Sequence, residues 1–236
     1  MDEREEAVAG WSRLHGTDVS GNALAVGWLR LVHRCAQPLR RVPPDALSAL
    51  GVLVAWGAVA VAAQGGRWPL VAVVPVVLTG LLDGLDGAVA LITGRARPLG
   101  AVVDAVADRL GDLGFVAVLL ALGADPLWCA VIAAAVFVHE YARARAQGVG
   151  MTGAGVVTVA ERPTRVIVTA VIAAGAGAFP GGTPGLGWSW AAVGVVLWLG
   201  VSAVGLAQLA VGITAALRGL PWPEQDSPPT RADEPS

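Results

Sequence analysis

The chain contains no lysine; all 16 of its basic residues are arginine. Charge of either sign is scarce, at 14% of residues, where a soluble domain carries about 25%. No basic stripe runs along the chain, which argues against nucleic acid as a partner. Cysteine is down to Cys35 and Cys129. Neither a disulfide framework nor a cysteine-based zinc site fits that count. A Walker-type phosphate loop, a dinucleotide fingerprint and a zincin sequence are all missing. Met1 to Glu6 are acidic, and no short apolar stretch with a cleavage site follows, so no signal peptide is expected.

What is plentiful is apolar. Hydrophobic residues make up 55% of the chain and the mean hydropathy is +0.65. They come in long runs, the mark of a multi-pass membrane protein. Six runs span roughly 46–63, 68–92, 99–122, 126–146, 164–179 and 188–217. Each is near or above the ~20 residues a helix needs to cross a bilayer. The expectation is an all-α integral membrane protein with six transmembrane helices. Short Gly- and Pro-rich breaks separate the runs, at Gln64 to Gly66, Gly94 to Pro98, Gly123 to Pro126 and Pro180 to Gly187. Nine tryptophans, many near the ends of runs, read as interfacial belts.

Four regions follow. Residues 1–22 are polar and expected to be a mobile cytoplasmic N-terminus. Residues 23–42 mix apolar side chains with Arg30, Arg34, Arg40 and Arg41, which suits a juxtamembrane amphipathic helix on the bilayer surface. Residues 43–218 hold the six-helix membrane domain. Residues 219–236, rich in Pro, Asp, Glu and Ser, read as a disordered cytoplasmic tail. With the N-terminus inside, every arginine-bearing loop but that of Arg67 faces the cytoplasm. The positive-inside rule therefore puts both termini there.

The informative stretch is 83–108, DGLDGAVALITGRARPLGAVVDAVAD. Asp83 and Asp86 close the second run; Asp104 and Asp108 open the third. Spacings of three and four residues place each pair on one helix face. A turn between them brings both pairs to the same membrane depth. Ionised carboxylates in hydrocarbon cost about 2.5–3.5 kcal/mol each at mid-helix, so something positive should sit among them. The stretch contains no Lys or His, and Arg109, one step past Asp108, is expected to point away. An all-oxygen donor set suits a hard cation, Mg²⁺ or Mn²⁺. Such a cation beside a membrane suggests phosphate chemistry. Gly84, Gly87 and Gly100 flank the acids and leave room for a ligand.

This pattern resembles the signature of the CDP-alcohol phosphotransferases, D-x2-D-G-x2-A-R-x8-G-x3-D-x3-D. Asp83, Asp86, Gly87, Ala90, Gly100, Asp104 and Asp108 fall in register. The departure is Leu91, where the family has Arg; Arg95 is a candidate substitute. The resemblance implies a phospholipid-synthesising membrane enzyme that moves a phosphatidyl group from CDP-diacylglycerol to an alcohol and releases CMP. It further implies that Asp83, Asp86, Asp104 and Asp108 hold two Mg²⁺ or Mn²⁺ ions, with Asp108 also the general base. Gly87, Ala90 and Gly100 would accommodate the nucleotide, the active site would face the cytoplasm, and the enzyme would be a homodimer in the cell membrane. Pro43 to Ser48 loosely resembles the family's Pro-Asn-x-x-Thr opening.

Arg143 and Arg145 end the fourth run, and Glu161-Arg162-Pro163-Thr164-Arg165 opens the fifth. They resemble the branch that makes phosphatidylinositol phosphate, and Arg143, Arg145, Arg162 and Arg165 are its candidate acceptor-binding residues. Arginine grips phosphate as a bidentate fork; anchoring at the inner membrane face is the plainer reading of each one. Inositol phosphate, glycerol phosphate, serine and phosphatidylglycerol all stay open as acceptors, and Mg²⁺ against Mn²⁺ stays open too. His139 and Glu140 read as a capping or packing pair, and Asp112 as the partner of a neighbouring arginine. Two rival functions are an inactive scaffold, motivated by Leu91, and an ion-coupled transporter. The second would need acids spread through the membrane depth.

Overall fold

The computed structural model describes residues 23–153 and 156–220, all helix and connecting turns. The readings made for residues 1–22 and for the tail beyond Leu220 lie outside the described residues. Among the described residues seven α-helices follow one another: α1 Ala23–Ala36, α2 Pro44–Ala62, α3 Trp68–Ile92, α4 Pro98–Ala121, α5 Pro126–Gly148, α6 Arg162–Ala178 and α7 Trp190–Leu217. A short 3-10 turn, Gln37–Leu39, joins α1 to the bundle.

Local chemistry sets these boundaries. Proline occupies the first turn of α2, α3, α4, α5 and α6, where its missing N–H would have had no partner anyway. Asp125 caps α5 by accepting from the Leu127 amide at 2.8 Å, and Ser189 caps α7 by accepting from Ala192 at 3.1 Å. After α3 the chain turns through Gly94, at φ 66°, a left-handed conformation that only glycine adopts without strain. That turn folds α4 back along α3.

The six-span expectation is corrected here. Six helices form where the six apolar runs lie, but among the described residues only α2, α3, α5 and α7 are long and apolar enough to cross a membrane. The α4 helix carries Asp104, Asp108, Arg109 and Asp112. The α6 helix has 17 residues, about 25 Å at the α-helical rise, against a hydrocarbon core of about 30 Å. The molecule is an all-α, multi-pass membrane protein, with four such helices among the described residues.

One apolar cluster unites α2, α3, α4, α5, α6 and α7 around Ala58, Val76, Phe115, Ile132, Ile172 and Trp198. A second, of Val32, Ala36, Leu47, Leu82, Leu85 and Val89, seats α1 against α2 and the C-terminal half of α3. Small residues let backbones meet closely. Gly177 of α6 lies directly on the Leu70 backbone, and Gly114 of α4 packs on Ala55 of α2. Large apolar side chains such as Leu53, Val74 and Val211 point outward, as a lipid-facing surface requires. The end of α7 packs by Gly205 and Gly212 against Ala160 and Val156, next to the start of α6. Helix α1, the α3–α4 turn, the α6 N-terminus and the end of α7 therefore share one end of the bundle.

Candidate metal centre

At that end the α3–α4 turn places the acids face to face. One carboxylate oxygen from each of Asp83, Asp104 and Asp108 lies within 4.8 Å of the others. Asp86 stands one step aside: Ser48 of α2 donates to its Oδ2 at 2.5 Å, and the Gly87 amide donates to its Oδ1 at 2.6 Å. It remains a neighbour of Asp104. Ser48 escaped sequence reasoning as a site residue. Its only signal was a hydroxyl at the last position of the loosely matched Pro43 to Ser48 segment.

The cation among these acids comes from far along the chain. Arg162, at the start of α6, places Nε 3.2 Å from Asp83 Oδ1, and its Nη1 donates to Asp108 Oδ1. Asp83 and Asp108 thus share the Arg162 guanidinium, Arg109 reaches Asp108 as well, and the four carboxylates still outnumber the two cations, which leaves net negative charge and all-oxygen ligation. That donor set fits a hard divalent cation, and the convergence of three carboxylates gives it a place.

Behind the cluster lies a second ionic layer. Arg165, with its side chain 1% exposed, donates to Asp112 Oδ2 at 2.6 Å and to Glu140 Oε1 at 2.7 Å. Arg109 reaches Asp112 at 3.2 Å, Glu140 at 3.3 Å and Asp108 at 3.6 Å. It turns toward the acids rather than away. Two acids and two arginines close into a neutral ring, as buried charge demands. Asp112 has its arginine partner, while Glu140 ties α5 to α4 and α6 rather than merely packing or capping. His139 bonds Thr158 Oγ1 through Nε2 at 3.0 Å and sets Nδ1 3.5 Å from Glu140 Oε1. A charged residue inside an apolar helix implies a partner, but not which one.

The remaining predicted residues are distributed around this core. Arg143 forms a two-pronged pair with Glu161, at 3.0 and 2.5 Å. Arg145 is exposed and has no ion-pair partner among the described residues. Space beside Gly87 is open, and Ala90 is half-buried. Gly100 lies under Arg97, which pairs with Asp45 at 2.5 Å. Leu91 is exposed, and Arg95 reaches the Val42 carbonyl at 3.4 Å. The cation beside Gly100 is therefore Arg97.

Glu161 caps the geometry at the α6 N-terminus. Burial alone would raise its pKa, but the Arg143 fork and the Thr158 amide outweigh that and hold it below the usual carboxylate range. A lowered folded-state pKa contributes stability above the unfolded value, about 4.3, and loses it as pH falls through the folded value. Thermal unfolding of wild type and Glu161→Gln should differ at pH 7, and the gap should close as pH drops below about 4.

Taken together, the helical bundle, its apolar exterior and the acid cluster at one end define a multi-pass membrane protein with a built carboxylate centre. The CDP-alcohol phosphatidyltransferase family model matches residues 41–206, and the chain belongs to that family: it transfers a phosphatidyl group from a CDP-linked lipid to an alcohol. Archaetidylinositol phosphate synthase of Aeropyrum pernix is 30% identical over 149 residues, covering 61% of this chain and 75% of that protein. Phosphatidylinositol phosphate synthase of Mycobacterium marinum is 32% identical over 183 residues, covering 72% and 73%. The crystal structure of the Mycobacterium tuberculosis phosphatidylinositol phosphate synthase with CDP-DAG bound superposes with a TM-score of 0.60 at 26% identity, over 79% of this chain and 95% of that one. A second structure of that enzyme, in complex with manganese and citrate, gives a TM-score of 0.59 at 26% identity, over 77% and 88%.

Proposed function

We propose that this protein joins the phosphatidyl group of CDP-diacylglycerol to a phosphorylated polyol, inositol phosphate foremost, and releases CMP. The observation that carries this is the convergence of Asp83, Asp104 and Asp108 at one end of an apolar bundle. The acceptor class is supported by the names of the similar enzymes and by the arginines around the acids. Asp83, Asp86, Asp104 and Asp108 would hold two Mg²⁺ or Mn²⁺ ions; the ions, when bound, offset charge on the pyrophosphate oxygens. Asp108 takes the proton from the acceptor hydroxyl. The freed oxygen attacks the lipid-side phosphorus, and the bond to CMP breaks. Arg143, Arg145, Arg162 and Arg165 form the basic surround for the acceptor phosphate. Arg145 is the one without an ion-pair partner among the described residues, while Arg143 and Arg165 orient the acids that face them.

The site opens on the cytoplasmic side in this reading. Arg95 and Arg97 follow the acid-bearing end of α3, whereas Arg67 precedes its other end, and the 25 residues of the helix set the two ends about 37 Å apart. The positive-inside rule assigns the arginine-rich end, and with it both termini, to the cytoplasm. A homodimer is part of the reading on the strength of the family resemblance, and light scattering in detergent checks it.

The direct test is CMP release from purified protein given CDP-diacylglycerol, Mn²⁺ and each candidate alcohol in turn. Release should be fastest with inositol phosphate. Faster release with serine or phosphatidylglycerol would overturn the acceptor assignment, and no release with any would overturn the mechanism. Nucleotide placement has its own check. Gly87→Ala meets no atom within 4 Å, and alanine in a helix interior is favoured by about 0.5–1 kcal/mol. The variant should unfold no earlier than wild type yet show a raised KM for CDP-diacylglycerol.

A further inference from the structure

Arg162 holds two of the three carboxylates that a divalent cation would use. Its Nε faces Asp83 Oδ1 and its Nη1 donates to Asp108 Oδ1. The third nitrogen rests over Gly111 of α4, where an added Cβ would come within 2.9 Å of Nη2. Gly111 sits in the interior of α4, where alanine is the better helix former by about 1 kcal/mol. The three atoms nearest to that added carbon all belong to the guanidinium. The missing side chain thus makes a fitted slot for Arg162, and the guanidinium lies in it with only 12% exposure.

A carboxylate engaged with an N–H is less available to a cation, and two positive groups at one pair of carboxylates repel. We propose that Arg162 is a tethered counter-cation, which neutralises Asp83 and Asp108 until a divalent ion binds and then gives way, freeing its fork for an anionic ligand. The proposal rests on the metal-binding reading of the carboxylate cluster. It deepens that reading by making metal binding and the availability of Arg162 a single linked equilibrium. Linkage is reciprocal, so whatever removes Arg162 from the carboxylates must tighten metal binding.

Calorimetric titration of Mn²⁺ into the full-length, detergent-solubilised protein, with no substrate present, tests this without reference to activity. Arg162→Gln is expected to tighten Mn²⁺ binding about tenfold. Gly111→Ala keeps the charge but displaces the guanidinium, and should tighten binding by a smaller factor. Arg218→Gln, which removes an exposed arginine at the end of α7, should leave the affinity as it is. Thermal unfolding confirms that each variant is folded; should Gly111→Ala fail that check, Arg162→Lys takes its place, with an affinity between wild type and Arg162→Gln. If wild type binds Mn²⁺ and Arg162→Gln binds it no more tightly, the tethered-cation proposal is overturned while the metal site stands. If Arg218→Gln tightens binding as much as Arg162→Gln, the effect is general charge and the proposal is likewise overturned. If wild-type protein binds no Mn²⁺, the metal reading fails, and the proposal with it.

Discussion

Asp108→Asn is expected to lower CMP release by about 10²- to 10⁴-fold while the protein stays folded. The two side chains are nearly the same shape, and asparagine keeps an oxygen for Arg162 to bind. What it loses is the capacity to take a proton from the acceptor hydroxyl. The substitution also removes one negative charge from the cluster, so Mn²⁺ binding should weaken. Saturating Mn²⁺ separates the two effects: a loss due only to metal affinity is recovered, and a loss of the base is not. Should the variant at saturating Mn²⁺ retain more than roughly a tenth of the wild-type rate, the base lies elsewhere.

Arg165→Met carries the largest expected effect on stability, about 3–5 kcal/mol. The Arg165 and Asp112 side chains are each 1% exposed. Methionine would leave Asp112 with Arg109 alone, and Glu140 without its 2.7 Å donor. Removing one member of a buried ionic group strands the others, which costs more than the group was worth intact. Converting Arg165 and Asp112 together, to Met and Leu, should recover part of the loss, since Arg109 and Glu140 then remain as a balanced pair. Thermal unfolding of the single and double variants in detergent measures both. A single variant as stable as wild type would show that the ring does not hold α4, α5 and α6 together.

The same ring shows what could and could not be read in advance. Asp83, Asp86, Asp104 and Asp108 were legible because they lie close in sequence and their spacing is a helix period. A turn at Gly94 was enough to set the pairs opposite one another. The partner of Asp112 was legible only as some arginine. Arg165 lies 53 residues from Asp112 and Arg162 lies 54 from Asp108, and no local pattern encodes a separation of that kind. Arg109 was misjudged for a related reason: its long side chain bends back to acids on two helices, which backbone direction alone does not reveal. Ser48 and Gly111 are small residues whose purpose is visible only beside the side chains they serve.

Span counting failed on the same ground from the other side. The α4 and α6 segments were read as apolar runs, yet α4 carries the acids and α6 is short. They are built for ionic contacts at the site end rather than for crossing lipid independently. Helix type, the acid quartet and the family signature were therefore determined by sequence alone, because each depends on periodicity within about 25 residues, some seven helical turns. Which cation faces those acids, which charges close the ring behind them and where Asp86 turns were decided only by tertiary structure, because they depend on helices that meet across the bundle.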